Sequence, residues 1–472
     1  MAKLNVNKPK ALLIFLAFFA ALFFGLASLA FVQLVNTNYV FLLAPPLALL
    51  IGLLFIFDRY AFFLMVILSR SSLDAAFNAI KIGNFGLGAV LNALVIIIAA
   101  LTLLEKPVKL DFKLDAIKKA WLIFLTLSFV SIFYAPTLIP SLKAFLVYVS
   151  YASVFFLGLF VIKTPEDFGK WMKAVAASSL IPVLYSFYCF AFGGSGLLNY
   201  RWEGMRLQST FPHPNPFAPY LVVIISVTFY LYKSKAEFIS STLRKFLPLY
   251  ILVLIGLLLM TKTRSAWVVT YLLFFLYAIF HERKMLILVI AAPLFALFIP
   301  EIQDRILDLT KGNDFGSTGY ERLNSFAWRL KVWGDSIGWM SETRYFLGYG
   351  ISSFVHFSPE FVMANAFEKI RFDIEAHSIY VQTFFELGLL GLASLCYLLY
   401  SYLKTLLSLY ERNKLLVFTV TVIFIQYLLQ SLTDNLLDYL ISEWYMWFVI
   451  GITFSYLGQF KDSHNNFSSV SK

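Results

Sequence analysis

Cysteine is scarce in this chain: there are two in 472 residues, Cys189 and Cys396, both inside apolar runs. Neither a disulfide framework nor a thiolate metal site can be assembled from them, and they leave the redox compartment undetermined. Charge is scarce as well. Only 14% of the residues are Asp, Glu, Lys or Arg, against about 25% in an ordinary soluble domain. By contrast, 60% are hydrophobic and the mean hydropathy is +0.78. Such a composition excludes a soluble globular enzyme and points to a polytopic membrane protein. The chain also lacks an HExxH zinc pair, a CxxC pair, a GxSxG elbow and a Walker A loop. The HERK segment at 281–284 has no second histidine for a helical metal site, and GYG at Gly348–Gly350 is too short for a dinucleotide fingerprint. No metal or nucleotide cofactor is expected, and the polar tail is the single low-complexity stretch.

What is present is a succession of apolar runs. Runs of about 17 to 25 residues read as membrane spans. The sequence places them near 11–34, 39–57, 59–70, 85–104, 117–136, 140–162, 172–192, 217–233, 246–262, 265–281, 285–300, 378–402, 415–434 and 439–459. The expected fold is therefore all-α with about 14 transmembrane helices, or 12 to 13 if short runs such as 59–70 are half spans. The first run exceeds the length of a signal-peptide core and is expected to be retained as a span.

The net charge of +11 is carried mostly by short connectors. With the N-terminus inside, the basic connectors around 105–119, 163–173, 233–245, 281–284 and 404–414 all fall on the cytoplasmic side, as the positive-inside rule requires. The basicity thus reads as topology, with a share in attracting anionic lipid, rather than as a nucleic-acid footprint. The chain divides into N-terminal helices (1–192), a first outer loop (193–216), central helices (217–299), a large outer loop (300–377), C-terminal helices (378–459) and a cytoplasmic tail (460–472). Loops as long as the fourth segment are uncommon inside a compact protein and are often functional. It is partly helical by pattern: Phe326, Leu330, Trp333 and Ile337 recur at helical spacing, as do Phe361, Ala364, Phe367 and Ile370, which suits interfacial helices.

Charged and titratable groups gather on that outer side. Lys262 and Arg264 sit in the short turn TKTRSAW, Arg201, Arg206, His213 and Asn215 precede a span in the first loop, and Arg329 lies on the first helical pattern of the large loop. Arginine's planar fork suits a phosphate, so Arg206, Arg264 and Arg329 are candidates for holding a diphosphate. His377 opens a span, where an imidazole can act as a base near neutral pH. Each has a plainer reading beside it. Arg264 can anchor a turn at headgroup level, Asn215 can cap a helix, and His377 can be satisfied by a carboxylate such as Glu375. Glu386 lies inside a span, where structural pairing competes with function. Asp434, Asp438 and Glu443 cluster at the last hairpin, where solvation suffices.

Four pieces, RLQSTFPHPNPFAPYL, TKTRSAW, RLKVWGDSIGWMSETRYFLGYGISSF and AHSIYVQTFFELGLLGL, occur in an order and sidedness that resemble the O-antigen ligase and polymerase superfamily of bacterial envelope polysaccharide enzymes. The resemblance implies a GT-C-type membrane glycosyltransferase in the bacterial inner membrane, with both termini cytoplasmic and a periplasmic active site. It implies an undecaprenyl-diphosphate-linked glycan as donor and lipid A core as acceptor in a ligase, or a second lipid-linked glycan in a polymerase. Transfer would be independent of metal and nucleotide; a single displacement would invert the anomeric centre, and a monomer is expected. His377 resembles the catalytic histidine, Arg264 and Arg206 the diphosphate-contacting arginines, and Arg329 the arginine of the large-loop helix, with Arg201, Lys262 and Asn215 beside them. Ser378 stands where the family often has Asn. A flippase for lipid-linked sugars is the alternative from another class; it would place ionisable groups near the midplane on broken helices.

Overall fold

The computed structural model describes residues 52–79, 81–82, 85–105, 110–200, 204–234, 238–298, 300–307, 320, 323–363 and 374–460. The predicted span at 11–34 and most of that at 39–57 lie outside them, as does Arg201.

The described residues are overwhelmingly helical. Helices α1 (Arg59–Ala79), α2 (Leu87–Glu105), α3 (Asp115–Ser131), α4 (Leu138–Phe160), α5 (Pro165–Ala177) and α6 (Leu180–Phe192) precede the first outer loop. A two-residue pairing joins β1 (Lys81–Ile82) to β2 (Phe85–Gly86) between the first two. The loop carries a hairpin of β3 (Leu197–Tyr200) and β4 (Gly204–Leu207), antiparallel with Leu198 opposite Arg206. Helices α7 (Pro214–Lys233), α8 (Ser241–Met260), α9 (Arg264–Phe280) and α10 (Met285–Ala296) follow. The large loop holds α11 (Pro300–Leu307), α12 (Ser325–Trp339) and α13 (Ser353–Met363), and the chain closes with α14 (Ile379–Ser408), α15 (Lys414–Gln430) and α16 (Leu440–Gln459).

Among the described residues seven segments are long and apolar enough to cross a membrane: 115–134, 138–160, 165–192, 214–233, 241–260, 379–412 and 440–459. Four apolar helices are shorter. Among the described residues the all-α polytopic expectation therefore stands, while the count near 14 does not follow from these lengths. Three boundaries differ from the sequence reading. The run at 59–70 is no half span but the first part of a 21-residue helix, started by the Asp58 carboxylate, which accepts from the Ala61 N–H at 2.9 Å. Hydropathy missed its second half because Arg70, Ser71 and Asp74 interrupt the apolar pattern, yet Arg70 is only 3% exposed. The run at 285–300 yields a 12-residue helix instead of a full span. The span near 172–192 begins earlier, at Pro165, behind a Thr164/Asp167 capping box, and is interrupted at Ser178 and Ser179.

α7 and α16 are almost wholly buried and form the centre of the bundle. α16 lies against α4, where Gly158 and Gly451 face each other. A Cβ on Gly158 would meet the Gly451 Cα at 3.0 Å, so the two backbones touch directly, the close approach that small residues permit between membrane helices. At one end of the bundle the basic connectors meet: Arg412 pairs with Asp111, Lys233 with Glu282 at 2.6 Å, and Lys173 donates to the Phe238 carbonyl at 3.0 Å. The two outer loops and the Thr261–Thr263 turn meet at the other.

The large loop is a folded cap with a core of its own. Val332, Met340, Phe354, Phe361, Val362, Ile374, Ala376 and Phe385 are buried together. Phe385 of α14 is its pivot, with the rings of Phe354, Tyr349 and Trp339 at 5.0, 5.1 and 6.0 Å. Burying each such ring contributes about 1.5–3 kcal/mol, which holds the cap on the bundle. α12 forms where the apolar spacing predicts. Its protein-facing residues, however, are Ala327, Val332 and Ser336, while Phe326, Leu330 and Ile337 are exposed, the face an interfacial helix gives to lipid.

Candidate active site

Beneath the cap two cavities lie side by side. The smaller, of about 230 Å³, is lined by Arg206, Lys262, Arg264, Arg305 and Arg329, with Asn215, Thr263, Ser325 and Asp434 among the other lining groups. The larger, of about 720 Å³, is lined by Arg70, His213, Asn215, Trp328, Glu375, His377, Asp438 and Tyr439 together with apolar side chains. Asn215 lines both. His377 opens on the larger and its partner Asp434 on the smaller, so this pair forms the wall between them.

Each group is positioned by the local fold. The β3–β4 hairpin carries Arg206 under the Thr261–Thr263 turn, where its Nε donates to the Thr261 carbonyl at 2.8 Å and its Nη2 to Asn215 Oδ1 at 2.8 Å and Thr263 Oγ1 at 3.2 Å. Arg206 is thus 95% withdrawn from solvent and ties the hairpin, the turn and the start of α7 into one unit. The cap of α7 is His213 rather than Asn215: its Nδ1 accepts from the Asn215 N–H at 3.1 Å, and Pro214 takes the first helical position. The Asn215 side chain is released from capping and orients Arg206 instead.

Arg264 opens α9. Its guanidinium donates to the Arg305 carbonyl at 3.0 Å and to the Ser325 hydroxyl, joining the turn to α11 and to the first turn of α12. Asn324 caps α12 by accepting from the Phe326 and Ala327 N–H groups at 3.0 and 2.9 Å, and one turn on, Arg329 donates to the Ser325 carbonyl at 2.9 Å. Five cationic side chains against a single carboxylate among the lining residues make the smaller cavity strongly electropositive. Oriented cations in such an enclosed place favour a polyanion of matching size.

His377 is held in the left-handed region, at φ +48, as is Lys262 at +55. A non-glycine residue there costs about 1–3 kcal/mol and persists only where its surroundings over-determine it. Here the Trp333 indole donates to the Ala376 carbonyl at 2.6 Å, and the Ile379 N–H to the Ser431 carbonyl at 3.1 Å. The ring stands edge-on to Trp328 at 5.7 Å, and its Nδ1 lies 3.4 Å from Asp434 Oδ1. That carboxylate also accepts from the Tyr439 hydroxyl at 2.6 Å and the Asn435 N–H at 3.1 Å. The carboxylate partner of His377 is therefore Asp434, not the nearby Glu375.

The solvated cluster expected at the last hairpin holds for Asp438, which is exposed, but not for Asp434 and Glu443. Asp434 is 4% exposed and Glu443 1%, the latter accepting from the Trp447 indole at 2.6 Å. Burial would push Asp434 up, but the hydrogen bond and charge of His377, the Tyr439 hydroxyl and the Arg329 charge outweigh it and hold the carboxyl below its usual range. Asp438 goes the other way. It is exposed where it opens on the larger cavity, and partial desolvation by the surrounding protein followed by the neighbouring Glu375 charge pushes it up to about 7. Glu386 is buried, and its carboxylate accepts from the Phe354 N–H at 3.4 Å, a structural partnership with the cap backbone.

Residues 249–396 match a family model described as O-antigen ligase. The match covers just under a third of the chain, and this domain supports a place in the O-antigen ligase and polymerase superfamily. A comparison with curated proteins finds no match. The ligase-family domain contains Lys262, Arg264, Arg305, Arg329 and His377, whereas Arg70, Arg206, Asn215 and Asp434 join it from outside those limits. Sequence reasoning missed Arg305 and Arg70. Arg305 sits in a short polar helix with no distinguishing spacing, and Arg70 was hidden by the end of an apolar run. Asp434 was visible in the sequence, but its burial was not.

Proposed function

We propose that this ligase-family protein is an inverting membrane glycosyltransferase that moves a glycan from undecaprenyl diphosphate to a sugar hydroxyl of lipid A core at the periplasmic face of the inner membrane. The single observation that carries the reading is the His377–Asp434 pair standing between an electropositive cavity and a second, roomier one.

In this mechanism the diphosphate of the donor occupies the smaller cavity, facing Arg264, Arg329, Arg305, Arg206 and Lys262. With Nδ1–H directed at Asp434, the His377 ring keeps its Nε2 lone pair for the acceptor hydroxyl. As the acceptor oxygen bonds to the anomeric carbon, the hydroxyl proton passes to Nε2, the carbon–oxygen bond to the diphosphate breaks, and its electron pair leaves on the phosphate oxygen. One displacement inverts the anomeric centre. The arginines lower the barrier because they face charge that grows as the bond breaks, and Asp434 stabilises the imidazolium that forms. The cap keeps competing water from the reacting carbon.

Purified protein, an undecaprenyl-diphosphate-linked glycan and lipid A core, assayed with chelator, test this directly. His377→Ala and Arg264→Ala are each expected to lose transfer by about 10²–10⁴-fold, and Asp434→Asn to lose kcat while donor KM is kept. Undiminished transfer by the first two rejects the site. A ladder of lengthening lipid-linked products in place of transfer to core would make the enzyme a polymerase. The flippase alternative looks for a broken helix with an ionisable group near the midplane, and α14 is indeed broken at Gly388. The break is filled, however, by the cap backbone: the Gly350 N–H donates to the Glu386 carbonyl at 2.8 Å and the Leu389 N–H to the Tyr345 carbonyl at 2.8 Å, which argues for a hinge-free anchor instead of an ion site.

A further inference from the structure

The two cavities differ in chemistry as well as size. The smaller is lined by five cations and one carboxylate. The larger has two carboxylates, Glu375 and Asp438, and one arginine, Arg70, whose guanidinium lies over the Trp444 ring at 5.5 Å. Its remaining lining includes two histidines, His213 and His377, and the aromatic side chains Phe211, Trp328 and Tyr439. Of the histidines, His213 is engaged as the cap of α7 through Nδ1. At about 720 Å³ the larger cavity is in the range of pockets that enclose a ligand.

An ionised carboxylate accepts hydroxyl hydrogens and a protonated one also donates, so both Glu375 and Asp438 suit a ligand rich in hydroxyls. They repel a second phosphate or carboxylate, and aromatic side chains supply apolar contact for the carbon face of a sugar ring. A diphosphate therefore partitions into the smaller cavity on charge alone, leaving the larger for the other substrate, on the side where the His377 ring opens.

We infer that the larger cavity is the acceptor subsite and that it selects an uncharged, hydroxyl-rich sugar, with Glu375 and Asp438 accepting its hydroxyls. The inference rests on the reading of His377 as the base. It makes Glu375 and Asp438 determinants of acceptor specificity with no part in donor binding, and it accounts for why Glu375, two residues before His377, is exposed to the cavity instead of pairing with the imidazole.

The test uses the full-length protein with an undecaprenyl-diphosphate-linked glycan and two forms of one core oligosaccharide, phosphorylated and enzymatically dephosphorylated. Wild type is expected to show the lower KM for the dephosphorylated form. Glu375→Gln and Asp438→Asn are each expected to raise that KM about tenfold and to narrow the gap between the two forms. Donor KM and direct binding of undecaprenyl diphosphate stay as in wild type, which also shows that the variants are folded. A rise in donor KM with acceptor KM unchanged, or a wild-type preference for the phosphorylated form, overturns the inference while leaving the transferase reading intact. If wild type binds undecaprenyl diphosphate yet transfers no glycan to either form and makes no lengthened lipid-linked product, the transferase reading falls and the subsite assignment with it.

Discussion

His377 and Asp434 illustrate how one charge sets the state of another. Asp434 is buried, yet it is kept below the usual carboxylate range by the imidazole, the Tyr439 hydroxyl and Arg329. Four residues on, Asp438, exposed on the larger cavity, is pushed up to about 7 by partial desolvation and by Glu375. Because this folded-state value lies above the ordinary value of 3.8, ionised Asp438 opposes folding: its stabilising contribution is complete below about pH 4 and is lost as pH rises through 7. Thermal unfolding of detergent-solubilised wild type and Asp438→Asn between pH 4 and 9 reads this out. The Tm of the variant should gain on that of wild type as pH rises, with the difference levelling off above about pH 7. A difference independent of pH would mean that Asp438 ionises normally. The sequence disclosed the identities of these groups and their crowding into one hairpin. It could not disclose burial, because Asp434 sits next to polar Thr433 and Asn435 and looks like any loop carboxylate.

α14 owes its shape to Gly388, whose φ of +66 and ψ of −165 break the helix nine residues after it begins at Ile379. At that break a Cβ would collide with the Phe346 carbonyl, and the same crossing puts Gly348, also at φ +66, against the Glu386 carbonyl. Two glycines thus let the cap segment cross α14 backbone to backbone, and the freed N–H and C=O groups of the helix bond to Tyr345, Phe346, Tyr349 and Gly350. Gly388→Ala adds both a strained φ and a clash, so a loss of about 1–3 kcal/mol or more is expected. Gly334→Ala on α12, where a Cβ meets nothing within 4 Å, should be neutral or stabilising by up to about 1 kcal/mol. Unfolding midpoints of the two variants in detergent check the contrast; equal midpoints would remove the crossing as a determinant of stability. Neither the break nor the cap core was legible in ELGLLGL, since an apolar run containing glycine reads as one continuous span when only hydropathy is weighed.

Across the whole molecule the basic connectors gather at one end and both outer loops at the other, the arrangement that the distribution of Lys and Arg predicts. Single-cysteine variants at two exposed positions, Thr343 in the cap and Arg283 in the opposite connector, test the sidedness. In a background freed of Cys189 and Cys396, Thr343→Cys should react with a membrane-impermeant maleimide in cells with a permeabilised outer membrane, and Arg283→Cys only after lysis. The reverse pattern would put the site on the cytoplasmic face and sink the donor assignment. The overall class was plain from composition, whereas span boundaries were legible only where apolar runs ended cleanly. Arg70 in α1 and Ser178–Ser179 between α5 and α6 defeat a hydropathy window because polar side chains buried among helices look like loop residues in sequence.

Hydropathy and charge order suffice to make this an all-α membrane protein with a functional face, because removing apolar surface from water and avoiding charge in hydrocarbon are local demands that any window of sequence reveals. The same holds for the candidacy of Arg264, Arg329 and His377, whose residue types carry their chemistry wherever they stand. Which groups meet is another matter. That Arg305 completes the cationic cavity, that Asp434 backs His377, and that Glu375 and Asp438 line a separate chamber all follow from helices distant in sequence packing side by side, and no local pattern encodes such an encounter.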